Sequence, residues 1–436
     1  MSFERVKFTE LLSAIVDNRG RTCPVGSFGR PLIATNCISN LSLYPSYDST
    51  RFVSEETYRT WFRGHPIPGD ILFVCKGSPG RTNWVPDPVD FCIAQDMVAV
   101  RANPAKIYPK YPFAALRSES AQAQISNLHV GTMIPHFKKG DFSKLLIPLP
   151  EVSAQSAIGD LYFEMSERIN LLRETNATLE AIAQALFKSW FVDFDPVRAK
   201  MAGRAPEGMD EATAALFPDA LEETALGLVP KGWPLRPFLD AVDVIGGGTP
   251  KTSNPAFWGG EIPWFSVVDA PDGSDTFVVD TEKHITEAGL KGSSTKLLPQ
   301  GTTIISARGT VGKLALAGRP MAMNQSCYGL SGKGGDSYFT YFSAYRLVEA
   351  LKARSHGSVF DTITRDTLAS VHSLLPGKKD VIRAFEDAVT PVMNRVLLNL
   401  YQSRGLADLR DTLLPRLISG QLRLPHAQAQ LEPHLS

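Results

Sequence analysis

No apolar run in this chain approaches the roughly 18 residues needed to cross a bilayer as a helix. Its first residues, MSFERVKF, carry no signal-peptide core. Both absences predict a cytoplasmic protein with no membrane segment. Cysteine is scarce: Cys23, Cys37, Cys75, Cys92 and Cys327 are odd in number and form no CxxC pair. That argues against a disulfide framework or a zinc site and predicts reduced, mostly buried thiols. The eight histidines lack metal-ligand spacing. Net charge is missing as well, with 45 Lys and Arg against 45 Asp and Glu. The balance conceals an uneven spread. Residues 1–150 hold 17 bases against 12 acids, residues 201–230 one base against six acids, and residues 232–376 thirteen of each. A basic first domain and an acidic connector cancel in the total.

Signals for catalysis are also thin. Ser253-Asn254-Pro255-Ala256-Phe257 echoes the Asn-Pro-Pro-aromatic signature of adenine methyltransferases, but without its second Pro and without an upstream Gly-rich cofactor turn. Gly309-Thr-Val-Gly-Lys313 is too short for a Walker loop, which has four residues between Gly and Gly-Lys-Ser/Thr. Cys75 and Cys92 lack the His and Asp partners that a nucleophile would suggest.

What is present is duplication. GTMIPHFKKGDFSKLLIPLP at 131–150 returns as GSVFDTITRDTLASVHSLLP at 357–376, an offset of 226 residues. Each copy leads into a long helical pattern. In the first, Ile158, Leu161, Met165, Ile169, Leu172, Leu179, Ile182, Leu186 and Trp190 mark an apolar seam. In the second, Val396, Leu406, Leu409, Leu413 and Leu417 repeat it, with Asn399 standing where Leu172 stood. A helix from about Ser153 to Val192 is roughly 60 Å long. It cannot hide its stripe inside one compact domain, and the other rod is its natural partner. At 436 residues the chain is also too long for one core.

The reading along the chain is therefore a first domain at 1–150, a long helix at 151–195, a connector at 196–231, a second domain at 232–376, a second long helix at 377–424 and a disordered tail at 425–436. Pro66, Pro68, Pro86, Pro88, Pro109 and Pro112 make the first domain irregular and mostly β, with strand candidates at 70–75 and 96–101. The connector reads as short helical pieces between prolines. The second rod is expected to be interrupted at Pro415 and to end at Ser419-Gly420. The fold class is α+β: two similar, mostly-β globular domains separated by two long antiparallel helices, with a pseudo-twofold internal repeat.

The repeat reaches into the domains. Lys76-Gly-Ser-Pro-Gly-Arg81 matches Arg308-Gly-Thr-Val-Gly-Lys313 at an offset of 232, directly after a strand. Paired glycines allow a tight turn with positive φ. Lys76, Arg81, Arg308 and Lys313 then either meet phosphates and guanine edges or decorate a plain hairpin. Phe257, Trp258, Trp264 and Phe265 read better as a small core beneath a Gly-rich loop, and the loop's polar start, Thr249, Lys251, Thr252 and Asn254, as nucleic-acid candidates. Phe187, Trp190 and Phe191 add apolar surface that either caps the helix pair or docks another subunit. Leu172, Leu179, Ile182, Leu186, Leu406, Leu409, Leu413 and Leu417 are the helix-pairing candidates.

Three stretches carry a resemblance: GGGTPKTSNPAFWGGEIPWFSVVD (246–269), ISARGTVGKLALAGRPMAMNQSC (305–327), and TLEAIAQALFKSWFVDFDPVRAKMAGRAPEGMDEATAALFPD (178–219), together with the ending RDTLLPRLISGQL (410–422). The chain resembles the specificity subunit of type I DNA restriction–modification systems over nearly its whole length. The first domain departs most, lacking the GGTP…WGG…IPW block. The resemblance implies two target-recognition domains, each reading one half of a split, asymmetric double-stranded DNA target, with the paired helices as spacer. It implies docking of two modification subunits, which methylate adenine with S-adenosylmethionine, and of restriction subunits using ATP and Mg2+. It implies that this chain is itself non-catalytic and carries no cofactor. Two other readings stand beside it: a protein-binding adaptor built on a coiled coil, and the recognition subunit of another multisubunit DNA methyltransferase.

Overall fold

Proline and glycine punctuate the domains so closely that only short strands fit between them, while both long helices run through sequence poor in such breakers. The computed structural model describes residues 3–18, 22–47, 50–128, 130–131, 134–224, 227–271, 275–354 and 362–422. The expected tail, 425–436, and the repeat positions 132–133 and 357–361 lie outside the described residues. The chain divides into two units: Met1–Arg173 with Gln402–Ser436, and Glu174–Tyr401. Each unit thus takes part of each long helix.

In the first unit, an antiparallel four-stranded sheet has the order Leu12–Asp17, Met97–Ala102, Ile71–Val74, Thr82–Trp84. A three-stranded sheet orders Phe52–Val53, Arg30–Ile33 and Cys92–Ile93, the last pair parallel. Glu4–Lys7 pairs with Leu146–Leu149 and closes the domain. Four consecutive buried residues at Ile71–Val74 make that strand central, since a strand covered on both faces reads as a continuous apolar run.

The second unit repeats this plan. Its main sheet orders Val242–Gly246, Cys327–Gly332, Thr303–Ser306, Leu314–Ala317, then Phe277–Val278 in parallel. Its three-stranded sheet orders His284–Ile285, Trp258–Phe265 and Ala322–Met323, again with the last pair parallel. Leu235–Pro237 pairs with His372–Leu374. Even a helix cap recurs: the Ser54 hydroxyl accepts from the Thr57 N–H at 3.1 Å, and the Thr286 hydroxyl from the Gly289 N–H at 3.1 Å. The first domain is therefore the same fold as the second despite lacking the Gly-rich block.

The first long helix is Val152–Lys188, closed by a wider turn at Ser189–Asp193; the second is Lys379–Ile418. Pro415 does not interrupt the second helix. It sits in the last turn, where buried Leu413, Leu414, Leu417 and Ile418 hold the chain helical although proline lacks the N–H for one bond. The connector differs from its reading too. Helices at Asp195–Met201 and Glu211–Ala214 are followed by a β-hairpin, Leu221–Thr224 with Gly227–Pro230.

Within the first unit, Ile158, Met165, Ile169 and Leu172 join Leu406, Leu413 and Leu417 in one core with the domain. The helix also offers that domain a fitted face. The Gln155 side chain accepts from the Tyr108 N–H at 2.9 Å, and Asp160 takes the Tyr108 hydroxyl and the Lys110 ammonium, each at 2.8 Å. Phe163 lies edge-on to Trp84 at 5.2 Å and Tyr162 to Phe113 at 5.9 Å. Gly159 lets the backbone of Tyr111 come close: a Cβ there would stand 2.9 Å from its nitrogen. Within the second unit the helices run antiparallel, Asn176 meeting Val396 and Asn399 while Phe187 meets Phe385.

Ile182 departs from the expected seam: it is 52% exposed, and Ala183 is the buried residue. The buried line steps through Leu172, Asn176, Glu180, Ala183, Phe187 and Trp190. The step from Leu172 to Leu179 passed over buried Asn176 and came out one position before buried Glu180.

Candidate nucleic-acid interface

A central strand that ends abruptly needs a turn whose geometry L-residues rarely adopt, and both units build it with glycine. Gly77 and Gly80 have φ of 86° and 90°; Gly309 and Gly312 have 76° and 82°. In each turn the second glycine faces a helix. A Cβ on Gly80 would meet the Gln122 side chain at 2.9 Å, and one on Gly312 would meet Val348 at 2.9 Å. The first glycine of each pair has open space around it. Gly77 and Gly309 thus serve φ alone, whereas Gly80 and Gly312 also serve packing.

The principal backbone hydrogen bonds of the two turns correspond. Gly80 N–H donates to the Val74 carbonyl (3.1 Å) as Gly312 does to Ser306 (2.9 Å). Cys75 and Lys76 both donate to the Asp96 carbonyl, at 2.9 and 3.2 Å; Ala307 and Arg308 both donate to that of Ser326, at 2.7 and 3.2 Å. A third segment joins each turn: Phe137 N–H donates to Cys75 O and Ile363 N–H to Ala307 O, both at 2.8 Å. Single antiparallel bridges pair Lys76 with His136 and Arg308 with Thr362.

The Gly-rich loop of the second unit joins the same cluster. Gly247 and Gly248 pass so close to Asn324 and Ser294 that a Cβ would fall 1.9 and 2.3 Å from them. The Trp264 indole N–H donates to Gly248 O (3.0 Å), and Trp258 lies edge-on to Trp264 at 5.1 Å. Buried Trp264, with Trp258 packed against it, forms a small core under the loop with Ile285 and Ala322, whereas Phe265 lies in a separate core with Met321 and Met323. Thr249 hydrogen-bonds Gln325, while Asn254 turns its carbonyl to the Ala256 N–H (3.2 Å) and caps a short helix. Lys251 and Thr252 are exposed.

The predicted residues therefore fall into distinct settings. Lys76, Arg81 and Arg308 are exposed; Lys313 is half-buried and lines a cavity of about 610 Å³ with Glu180, Glu349 and Lys352. Thr249 and Asn254 are engaged within the loop. Leu172, Leu406, Leu413 and Leu417 are core residues of the first unit, with Leu409 packed against them. Leu179 and Leu186 pack against the core of the second unit, and Phe187, Trp190 and Phe191 are inside it. Those three rings touch Phe339, Phe342, Phe385, Phe217 and Trp233. Their apolar surface is largely covered within the unit.

Sequence reasoning missed His136 and Thr362, whose backbones bridge to the turns, and Asn324 and Gln325, which lie against the Gly-rich loop. Glu180 was missed as well: it is 7% exposed, and its carboxylate accepts from the Thr276 N–H at 2.9 Å. Burial pushes that carboxyl up to about 7. Only the repeated offset between Lys76-to-Arg81 and Arg308-to-Lys313 could have drawn attention to this region.

A family model described as the type I restriction modification DNA specificity domain matches residues 59–181 and 230–380. The chain is 27% identical over 401 residues to the "Type I restriction enzyme HindI specificity subunit" of Haemophilus influenzae, covering 81% of this chain and 86% of that one. It is 29% identical over 197 residues to the MjaIX specificity subunit of Methanocaldococcus jannaschii, covering 42% and 46%. Among solved structures it shares its fold with the type I restriction–modification S subunit from M. genitalium. That likeness has a TM-score of 0.52 at 17% identity and covers 91% of this chain and 95% of that one.

Proposed function

The chain belongs to the type I restriction modification DNA specificity family, and on that footing we propose that each of its two domains reads one half of a split DNA target. The observation that carries the reading is the duplicated turn. One hydrogen-bonded frame is built twice, with basic residues at both ends and different side chains between them. Equal frames with unequal side chains suit two related but different half-sites. Lys76, Arg81 and Arg308 are exposed where a phosphate or a guanine edge can meet them, and Lys251 and Thr252 extend the second domain's surface.

The chain acts without chemistry of its own. S-adenosylmethionine belongs to two modification subunits, and ATP with Mg2+ to restriction subunits, all of which assemble on this chain in the cytoplasm. The test is binding to duplexes carrying the bipartite target, found by mapping adenine methylation in cells expressing this chain with its modification subunit. Steeply salt-dependent binding that requires both half-sites is expected. A chain that binds no duplex, yet captures the same partner proteins, would be an adaptor.

A further inference from the structure

The two turns offer an internal comparison of what the frame holds constant and what it lets vary. Glycines stand at 77 and 309 and at 80 and 312, and small buried residues at Cys75 and Ala307. A basic residue stands at 76 and at 308. Directly across the strand from that basic residue the chemistry changes: His136 in the first domain, Thr362 in the second.

The frame fixes where those two side chains point. Residues directly opposite in an antiparallel bridge project from the same face with Cβ atoms about 4.5–5.5 Å apart. His136 therefore stands beside Lys76, and Thr362 beside Arg308. Neither segment can turn away. His136 and Val130 exchange backbone hydrogen bonds at 2.9 and 3.0 Å, and Gly77 N–H donates to Pro135 O at 2.9 Å. The neighbours Phe137 and Ile363 are anchored in the cores at 0% and 2% exposure.

A phosphate contact is the same for every sequence and calls for the same chemistry in both domains, which the shared base at 76 and 308 supplies. A base contact requires the chemistry to differ where the half-sites differ. An imidazole can donate to or accept from a base edge, and a threonine offers a hydroxyl together with a methyl group that suits the thymine methyl. We propose that His136 and Thr362 are specificity-determining residues, each reading a base while Lys76 or Arg308 holds the adjoining backbone. The inference rests on the DNA-reading function proposed above and deepens it.

The experiment uses the full chain with its modification subunit, methylation mapping, and competition binding over duplexes randomised in one half-site. His136→Thr should change or relax preference at one or two positions of the first domain's half-site only, with discrimination falling about tenfold or more, the scale of one good base contact. Its salt dependence should match that of the unsubstituted chain. Thr362→His should act on the other half-site alone. Lys76→Ala should instead weaken binding at the first domain's half-site whatever bases it carries, leave base preference unchanged, and lower the salt slope by about one. His136→Gln, which keeps a polar side chain of similar reach, guards against a folding defect in the first variant. Unchanged base preference in both His136 variants would overturn the proposal, and so would a uniform loss with a reduced salt slope. Failure of the unsubstituted chain to select a bipartite duplex would instead sink the DNA-reading function itself.

Discussion

Removing Asn399 from the helix pair is a sharp test of the packing argument, because its cost depends on what remains. In the second unit the Asn399 amide donates to the Asn176 carbonyl oxygen at 2.9 Å, and the Asn176 amide donates to the Val396 carbonyl at 3.0 Å. Both side chains are buried, at 1% and 7% exposure, and the Asn399 oxygen has no partner among the described residues. Asn399→Leu removes one bond and strands the Asn176 oxygen, but it also removes the Asn399 oxygen, which is already unsatisfied. Asn176→Leu removes both bonds and leaves the whole Asn399 amide buried without a partner. A stranded buried polar group costs about 1–3 kcal/mol, while a typical bond contributes about 1 kcal/mol net. Asn176→Leu should therefore be the worse single change.

The double variant has no stranded side chain, and leucine shares asparagine's branching pattern, two groups on Cγ, though its methyl groups are bulkier. It should regain most of the loss and approach or exceed the parent, as replaced buried polar pairs can. The coupling should be about 1–3 kcal/mol, opposite in sign to the single losses. Thermal melting followed by tryptophan fluorescence is a suitable assay, since Trp190, Trp233, Trp258 and Trp264 all lie in the second unit. Losses that simply add in the double variant would refute the reasoning.

Other consequences can be checked separately. Glu180, raised from its ordinary 4.5 to about 7 by burial, favours folding while protonated, so its contribution is complete below about 4.5 and is lost as pH rises through 7. At about 1.4 kcal/mol per unit the ceiling is roughly 3 kcal/mol; Glu180→Gln should flatten the fall in second-unit stability between those pH values, and an unchanged slope would count against it. Gly159→Ala should destabilise the first unit by roughly 1–2 kcal/mol, because the Cβ would crowd the Tyr111 nitrogen at 2.9 Å and outweigh a helix-propensity gain of about 1 kcal/mol; a higher melting temperature would show that the contact relaxes. Replacing Lys76 and Arg81 together should impair one half-site, and replacing Arg308 the other, each lost phosphate contact lowering the salt slope by about one. Duplex titrations at several salt concentrations that show the same loss at both half-sites would refute that assignment.

The duplication was legible because its signals are local: a strand, a Gly-x-x-Gly turn, and a proline-ended strand before a long helix. The pairing face was legible only where it is apolar. Ile158, Met165, Ile169 and Leu172 lie in the core, but the line then passes through Asn176 and Glu180. Their burial follows from partners that come more than 90 residues later, Asn399 and Thr276. An eye tuned to hydrophobicity slips to Ile182 at that point. In the second helix Asn399, Ser403 and Arg410 are buried for the same kind of reason, and the Arg410 guanidinium donates to the Ser166 hydroxyl at 3.3 Å. The hairpin in the connector escaped because its strands are four residues each and the first carries Glu222 and Glu223. His136 and Thr362 escaped because a cross-strand neighbour more than 50 residues away leaves no mark in local sequence.

The fitted face of the first long helix bears on how such a protein can acquire a new recognition segment. Gln155, Asp160, Tyr162 and Phe163 act as a socket, and Tyr108, Lys110, Trp84 and Phe113 are its plug. A segment exchanged at residue 150 would bring a new plug to an old socket. Incoming domains are thus filtered by a handful of helix contacts lying outside the exchanged piece, and by the absent side chain of Gly159, before any question of target arises. Exchange can proceed freely only among domains that share that plug.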